Sequence, residues 1–126
     1  GLGVDVVYVS NHGGRQLDAA PAPIEVLPAI RAAVGGKITI AVDSGVRRGA
    51  DIAKALALGA DYVFIGRATF YGVGAAGQRG AAKAVDILRD ELDRCLAQIG
   101  CPSVAGLRDV DVRFDPAFAD PVAAAG

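Results

Sequence analysis

Three short apolar runs, residues 2–9, 37–42 and 61–65, each end in a loop of glycines and charged side chains. None alternates apolar with polar residues, which is the pattern of a strand covered on both faces. Ile24, Leu27, Ile30 and Val34 recur at helical spacing between the first two runs, and Gly35-Gly36 supplies a helix stop. Pro28 fits that helix only in its first turn, where a missing N–H is harmless. A second helix is expected over 50–58, ending at Gly59. Strand, helix, strand, helix, strand with short connections predicts parallel strands joined by right-handed crossovers. The expected fold class is therefore α/β, with the loops that follow the strands gathered on one edge of the sheet.

Residues 68–77 are small and glycine-rich and can form a short helix. Residues 81–99 read as a long amphipathic helix with Val85, Leu88, Leu92, Leu96 and Ile99 as its apolar stripe, stopped by Gly100 and Pro102. The domain is expected to occupy residues 1–105, followed by a partly disordered tail over 106–126.

A chain of 126 residues with 52% hydrophobic and 21% charged residues is expected to be globular and soluble. A net charge of −1 provides no basic field for nucleic acid or an anionic membrane, so neither is expected as a partner. No run approaches the length of a membrane span. Cys95 and Cys101 have no metal-ligand spacing with the one histidine, no metal is expected, and a reducing compartment, the cytoplasm, is the simplest setting. The absence of methionine, even at position 1, and a start directly upstream of a strand lead us to expect part of a larger domain.

The loop after the first run, Ser10-Asn11-His12-Gly13-Gly14-Arg15-Gln16-Leu17-Asp18, holds the only histidine, with Arg15 three residues beyond it. Imidazole accepts a proton near neutral pH and a guanidinium holds a carboxylate by two parallel hydrogen bonds. Together they suggest chemistry on a small organic acid, although a lone histidine in a glycine turn is also an ordinary loop residue. After the second run, Asp43-Ser44-Gly45-Val46-Arg47-Arg48-Gly49 opens a helix, and Gly66-Arg67 follows the third. Glycine admits close approach of backbone N–H groups, and arginine adds charge, so both loops suit a phosphate. Arg48 reads as a solvated arginine; Asp43 is either a helix cap or an acceptor for a sugar-like hydroxyl. In (β/α)8 barrels the loops after strands seven and eight frequently form a phosphate site.

The His12 loop, Asp43 to Gly49 with Lys54-Ala55-Leu56-Ala57-Leu58-Gly59-Ala60, and Gly66-Arg67 resemble the C-terminal part of the FMN-dependent α-hydroxy acid oxidases and dehydrogenases. That family includes glycolate oxidase, lactate oxidase and (S)-mandelate dehydrogenase. Within it, Asp43-Ser44-Gly45, Gly66-Arg67-Ala68-Thr69 and Leu96-Ala97-Gln98-Ile99-Gly100-Cys101-Pro102 are most similar to the mandelate dehydrogenases. The resemblance covers residues 1–105 and implies the C-terminal portion of a (β/α)8 TIM barrel, about strands six to eight with their helices. It implies FMN as cofactor and a small (S)-2-hydroxy acid, mandelate- or lactate-like, as substrate. His12 would be the base and Arg15 the carboxylate clamp. Ser10 would contact the flavin, and Asp43, Ser44, Gly45, Val46, Arg47, Gly66 and Arg67 would hold the cofactor.

The family's histidine-orienting aspartate, substrate-binding tyrosines and flavin-facing lysine would lie upstream of Gly1. The missing N-terminal part of the barrel is thus an expected partner, because three parallel strands cannot close a barrel. A homo-oligomer is also expected. The full-length protein is expected in the cytoplasm, with a peripheral position at the inner membrane face as an option. The rival reading is a non-catalytic, self-associating fragment that keeps only a phosphate site; another is a different phosphate-binding barrel enzyme, against which His12 followed by Arg15 speaks.

Overall fold

Residues 3–113 are described by the computed structural model. Strands β1 (Val6–Val9), β2 (Thr39–Val42) and β3 (Tyr62–Val63) alternate with helices α1 (Pro23–Val34), α2 (Gly49–Ala57) and α3 (Arg67–Gln98). Short 3-10 turns occupy His12–Gly14, Gly35–Lys37 and Val104–Asp109. Both strand pairs are parallel in the order β1-β2-β3, with Val9 opposite Val42 and Val42 opposite Val63. The α/β class, the parallel sheet and the common rim for the three loops match the sequence reading, although each strand is shorter than its apolar run.

Val9, Ile40 and Val42 turn one face of the sheet toward Leu27 of α1 and Ala55 of α2, and Leu27 and Ile40 are fully buried. A second cluster lies on the far side of α2, where Ala53 meets Leu96 of α3 together with Cys101 and Leu107. The other face of the sheet departs from expectation. Val6, Tyr8, Tyr62 and Phe64 are 50–62% exposed, because the two helices pack on one side and no described element covers the other. The absence of alternation thus indicates strands suited to burial on both faces, one of which this chain leaves open.

Pro28 lies in the second turn of α1, not the first, because the helix already begins at Pro23. It is tolerated at the loss of one N–H to the Ile24 carbonyl. Glu25 accepts the Ala22 N–H at 3.1 Å and steadies the helix start. The expected long helix over 81–99 and the short one before it form a single assigned element, broken at Ala76 and Gly77 by non-helical backbone. The chain folds back so tightly there that a Cβ on Gly80 would lie 1.9 Å from the Gly72 carbonyl oxygen. Of the expected stripe, Leu88 and Leu96 are buried, whereas Val85 and Ile99 are exposed at the ends of the packed region.

The expected boundary at 105 falls inside the Val104–Asp109 turn, whose Leu107 is 1% exposed. Arg108 and Arg31 both pair with Asp61, the latter at 2.5 Å, and Asp61 also accepts the Ile40 N–H at 2.8 Å. Burial opposes the Asp61 charge, but these donors outweigh it and hold the carboxyl below its ordinary range. The remainder of the expected tail, 114–126, lies outside the described residues.

Candidate functional site

The three strand ends present their loops to one cleft of about 620 Å³. Its lining includes His12 and Gly13 from the β1 loop, Asp43, Ser44, Gly45, Val46 and Arg47 from the β2 loop, and Gly66 and Arg67 from the β3 loop. Parallel pairing produces this convergence, because every strand then ends on the same rim.

His12 sits at the start of a 3-10 turn with φ +55°, and Ser44 has φ +72°; they are the non-glycine residues of left-handed backbone among those described. Both therefore carry strain at the cleft. The turn holds because Asn11 Oδ1 accepts the Gly13 N–H at 2.9 Å and Ser10 Oγ accepts the His12 N–H at 3.1 Å. Ser44 Oγ also accepts the Gly13 N–H, at 3.0 Å, and joins the first loop to the second. His12 Nδ1 lies 2.8 Å from the side-chain amide oxygen of Gln16, Oε1. An amide oxygen can only accept, so Nδ1 carries a hydrogen, and in the neutral ring Nε2 is the nitrogen that holds the lone pair.

Asp43 accepts hydrogen bonds from Tyr8 Oη at 2.6 Å and from Ser44 Oγ at 2.7 Å. Partial burial raises its pKa, but the hydroxyls of Ser10, Tyr8 and Ser44 and the nearby His12 outweigh this and keep the carboxyl below its usual range. Ionised, Asp43 can only accept; the ligand group that meets it is a donor such as a hydroxyl, not a phosphate.

The sequence reading assigned phosphate donors to the start of α2 as well as to Gly66-Arg67. At α2 those donors are occupied: Asp51 accepts the N–H groups of Arg47 and Arg48 at 2.9 Å each, and Glu91 of α3 accepts that of Gly49 at 2.9 Å. The Gly49 N–H and the Arg48 guanidinium together lower the Glu91 pKa. Arg48 does not line the cleft; its side chain is 75% exposed, as expected of a solvated arginine, and it also pairs with Glu91 at 2.9 Å. The start of α3 differs, since Gly66 provides no side-chain cap and Arg67 opens the helix. A cation at an uncapped helix N-terminus fits an anion. Hydroxyl-accepting Asp43, cationic Arg47 and Arg67, and open space above Gly45 and Gly66 fit a phosphorylated polyol such as the ribityl phosphate of FMN.

Two expected site residues do not line this cleft. Ser10 borders the adjoining 410 Å³ hollow with His12 and Gln16, and Arg15 caps the 3-10 turn with its N–H on the His12 carbonyl. Residues not singled out by sequence also contribute: Gly13, Phe64, Ala68 and Tyr71 line the cleft, Gln16 holds His12, and Tyr8 holds Asp43. Tyr8 had a sequence signal, since it stands on the strand two residues before Ser10, where side chains of period two share a face.

A sequence model described as FMN-dependent dehydrogenase matches residues 1–113. The (S)-mandelate dehydrogenase of Pseudomonas putida is 53% identical over 105 residues, which make up 83% of this chain and 26% of that protein. The L-lactate oxidase of Lactobacillus jensenii is 46% identical over 113 residues, 90% of this chain and 28% of that one. Among solved structures, a soluble mutant of the membrane-associated (S)-mandelate dehydrogenase from Pseudomonas putida superposes with a TM-score of 0.80 at 52% identity, covering 83% of this chain and 30% of the other. The chain spans about a quarter to a third of the length of the curated relatives it matches. Match, identity and superposition agree with the cleft's chemistry: the chain belongs to the FMN-dependent dehydrogenase family, whose members include α-hydroxy acid oxidases and dehydrogenases.

Proposed function

We propose that this chain forms the cofactor cradle and carries the proton acceptor of an FMN-dependent enzyme that oxidises a small (S)-2-hydroxy acid to the 2-oxo acid. It would do so as the C-terminal portion, about strands six to eight, of a (β/α)8 barrel completed by a further polypeptide segment. The observation that carries the reading is the convergence on one rim of a histidine with a free Nε2, an ionised hydroxyl acceptor and an arginine at an uncapped helix start. The names of the relatives, (S)-mandelate dehydrogenase and L-lactate oxidase, support a mandelate- or lactate-like substrate. A cytoplasmic protein, peripheral at the inner membrane face, is the proposed setting, and the membrane-associated relative supports the latter part. Homo-oligomerisation is proposed for the complete protein.

In this reading Gly66, Arg67 and Arg47 receive the phosphate. Asp43 receives a ribityl hydroxyl, Ser44, Gly45 and Val46 shape the rest of the cradle, and Ser10 contacts the flavin from the adjoining hollow. FMN supplies the two-electron acceptor when bound. His12 Nε2 takes a proton from the 2-hydroxy acid, with Gln16 keeping Nδ1 protonated so that the ring presents the correct nitrogen. Arg15 binds the substrate carboxylate by a two-point contact that only a guanidinium makes.

The test uses the completed enzyme with mandelate or lactate. His12→Gln is expected to slow flavin reduction by about 10²- to 10⁴-fold while FMN stays bound. Arg15→Lys is expected chiefly to raise KM. Reduction of the His12→Gln enzyme at the parent rate would overturn the base assignment. Should the completed parent enzyme carry no flavin absorption, the non-catalytic, self-associating reading would replace this one.

A further inference from the structure

Tyr8 has no part in the function proposed above, yet it touches the centre of the site. Its hydroxyl donates to Asp43 Oδ2 at 2.6 Å, the length of a charge-assisted bond. Its ring meets Phe64, just beyond β3, edge to face at a centroid distance of 5.5 Å. One side chain of β1 therefore reaches the end of β2 and the end of β3. From Asp43 the contacts continue: Oδ1 accepts the Ser44 hydroxyl at 2.7 Å, and Ser44 Oγ accepts the Gly13 N–H at 3.0 Å. Gly13 follows His12, so the path returns to the loop that β1 itself leads into.

We propose that Tyr8 is a positioning residue that fixes the rotation of the Asp43 carboxylate and, through Ser44, the setting of the His12–Gly13 turn. The donor inventory sets the direction of every bond. An ionised carboxylate only accepts, so both hydroxyls must point at it. Once Ser44 has spent its hydrogen on Asp43, its oxygen is left to accept from Gly13. Without the Tyr8 hydroxyl, Oδ2 loses its 2.6 Å donor while the Ser10 and Ser44 hydroxyls remain near the carboxylate, and rotation toward Ser10 would carry the Ser44 hydroxyl away from Gly13. The left-handed backbone of Ser44 makes that release favourable, because the bonds are what hold it at φ +72°. With Tyr8 in place, the remaining lone pairs of Asp43 face the cleft in one orientation, matched to hydroxyl donors of a polyol. This last consequence rests on the proposed cofactor cradle; the positioning itself does not.

The titratable groups facing the Asp43 carboxyl are Tyr8 on β1 and His12 on its loop. The test is an NMR titration of the full chain without flavin, following the Asp43 carboxyl carbon, the Tyr8 ring and the Gly13 amide, in the parent, Tyr8→Phe and Asp43→Asn. Tyr8→Phe keeps the ring against Phe64 and removes only the donor. The Asp43 midpoint is expected to rise by at least about half a unit, and the Gly13 amide signal to move. In the parent the Tyr8 phenol titrates at about 12, raised chiefly by the hydrogen bond to Asp43. In Asp43→Asn it is expected to fall toward the ordinary value of 10.0. An unchanged Asp43 midpoint with an unmoved Gly13 amide in Tyr8→Phe would overturn the proposal. If that variant did not fold, the Tyr8 midpoint in Asp43→Asn would decide alone: a fall supports positioning, and a value still near 12 overturns it. Since no flavin enters the titrations, a protein that bound no FMN would overturn the functional reading alone.

Discussion

His12 and Ser44 are held in backbone that their side chains disfavour; hydrogen bonds within the first loop restrain the His12 turn, and the Gly13 N–H to Ser44 Oγ bond ties it to the second loop. Ser44 is the more informative, because its hydroxyl bonds to two other residues. Ser44→Ala keeps the strained φ and loses both bonds; it is expected to destabilise by about 1–2 kcal/mol in urea unfolding. Ser44→Gly loses the same bonds but removes the strain, and should recover roughly 1 kcal/mol of that loss. Equal stability of the two variants would show that φ +72° carries no strain. Asp61 makes a separate prediction for pH. Its folded pKa is depressed, so the stability it adds is present above its ordinary value of 3.8 and lost as pH falls through the lower folded value. Asp61→Asn should therefore lose stability less steeply than the parent as pH falls below the ordinary carboxyl value of 3.8, as followed by circular dichroism.

The packing of elements depends on glycines at two crossings. A Cβ on Gly49 would stand 2.1 Å from the Leu92 backbone nitrogen, so α2 meets α3 with no room for a side chain, and the same contact lets Glu91 reach the Gly49 N–H. Gly49→Ala must push backbone away from backbone; a loss of about 3 kcal/mol or more is expected in chemical denaturation. It should also release Glu91 from the N-terminus of α2. Leu107 anchors the 3-10 turn Val104–Asp109 in the second apolar cluster, and Leu107→Ala is expected to cost about 2–5 kcal/mol. A loss below 1 kcal/mol would mean that residues after 105 add little to the domain. The helix break at Ala76-Gly77 belongs to this scale too: a stripe of leucines marked the helix, but the reversal rests on small residues that periodicity ignores.

For the whole molecule the decisive feature is the open sheet face carrying Val6, Tyr8, Tyr62 and Phe64. Such a surface on a parallel sheet calls for a cover. The completing barrel segment is the cover we propose, in keeping with a chain that spans 26–31% of its relatives. Tyr62→Asp should weaken association of this chain with that segment, or with itself, in analytical ultracentrifugation, while the helix-facing cluster of Leu27, Ile40 and Val42 stays intact. Unchanged association would place the contact elsewhere.

Much of the architecture was legible from residues in order. Apolar runs of β-rich composition, helical spacing and glycine stops follow from local preference, which is why the α/β class, the parallel order and the common rim of the loops could be read directly. His12, Asp43, Arg47, Gly66 and Arg67 could be placed on that rim because each follows a strand, and chain order decides which end of a parallel strand a loop occupies. Partner choice could not be read in this way. Asp51 and Glu91 occupy the N–H groups at the start of α2, Gln16 holds His12, and Tyr8 holds Asp43. Glu91 is 42 residues from the Gly49 it caps, and Tyr8 is 35 from Asp43. Contacts at such separations depend on where crossovers return the chain, and hydrogen-bond direction depends on which donors arrive together. The sequence by itself therefore determined the elements, their order and the edge on which chemistry could occur. Only the tertiary structure decided which loop is free to meet an anion, which carboxylate accepts hydroxyls and which face of the sheet is left open.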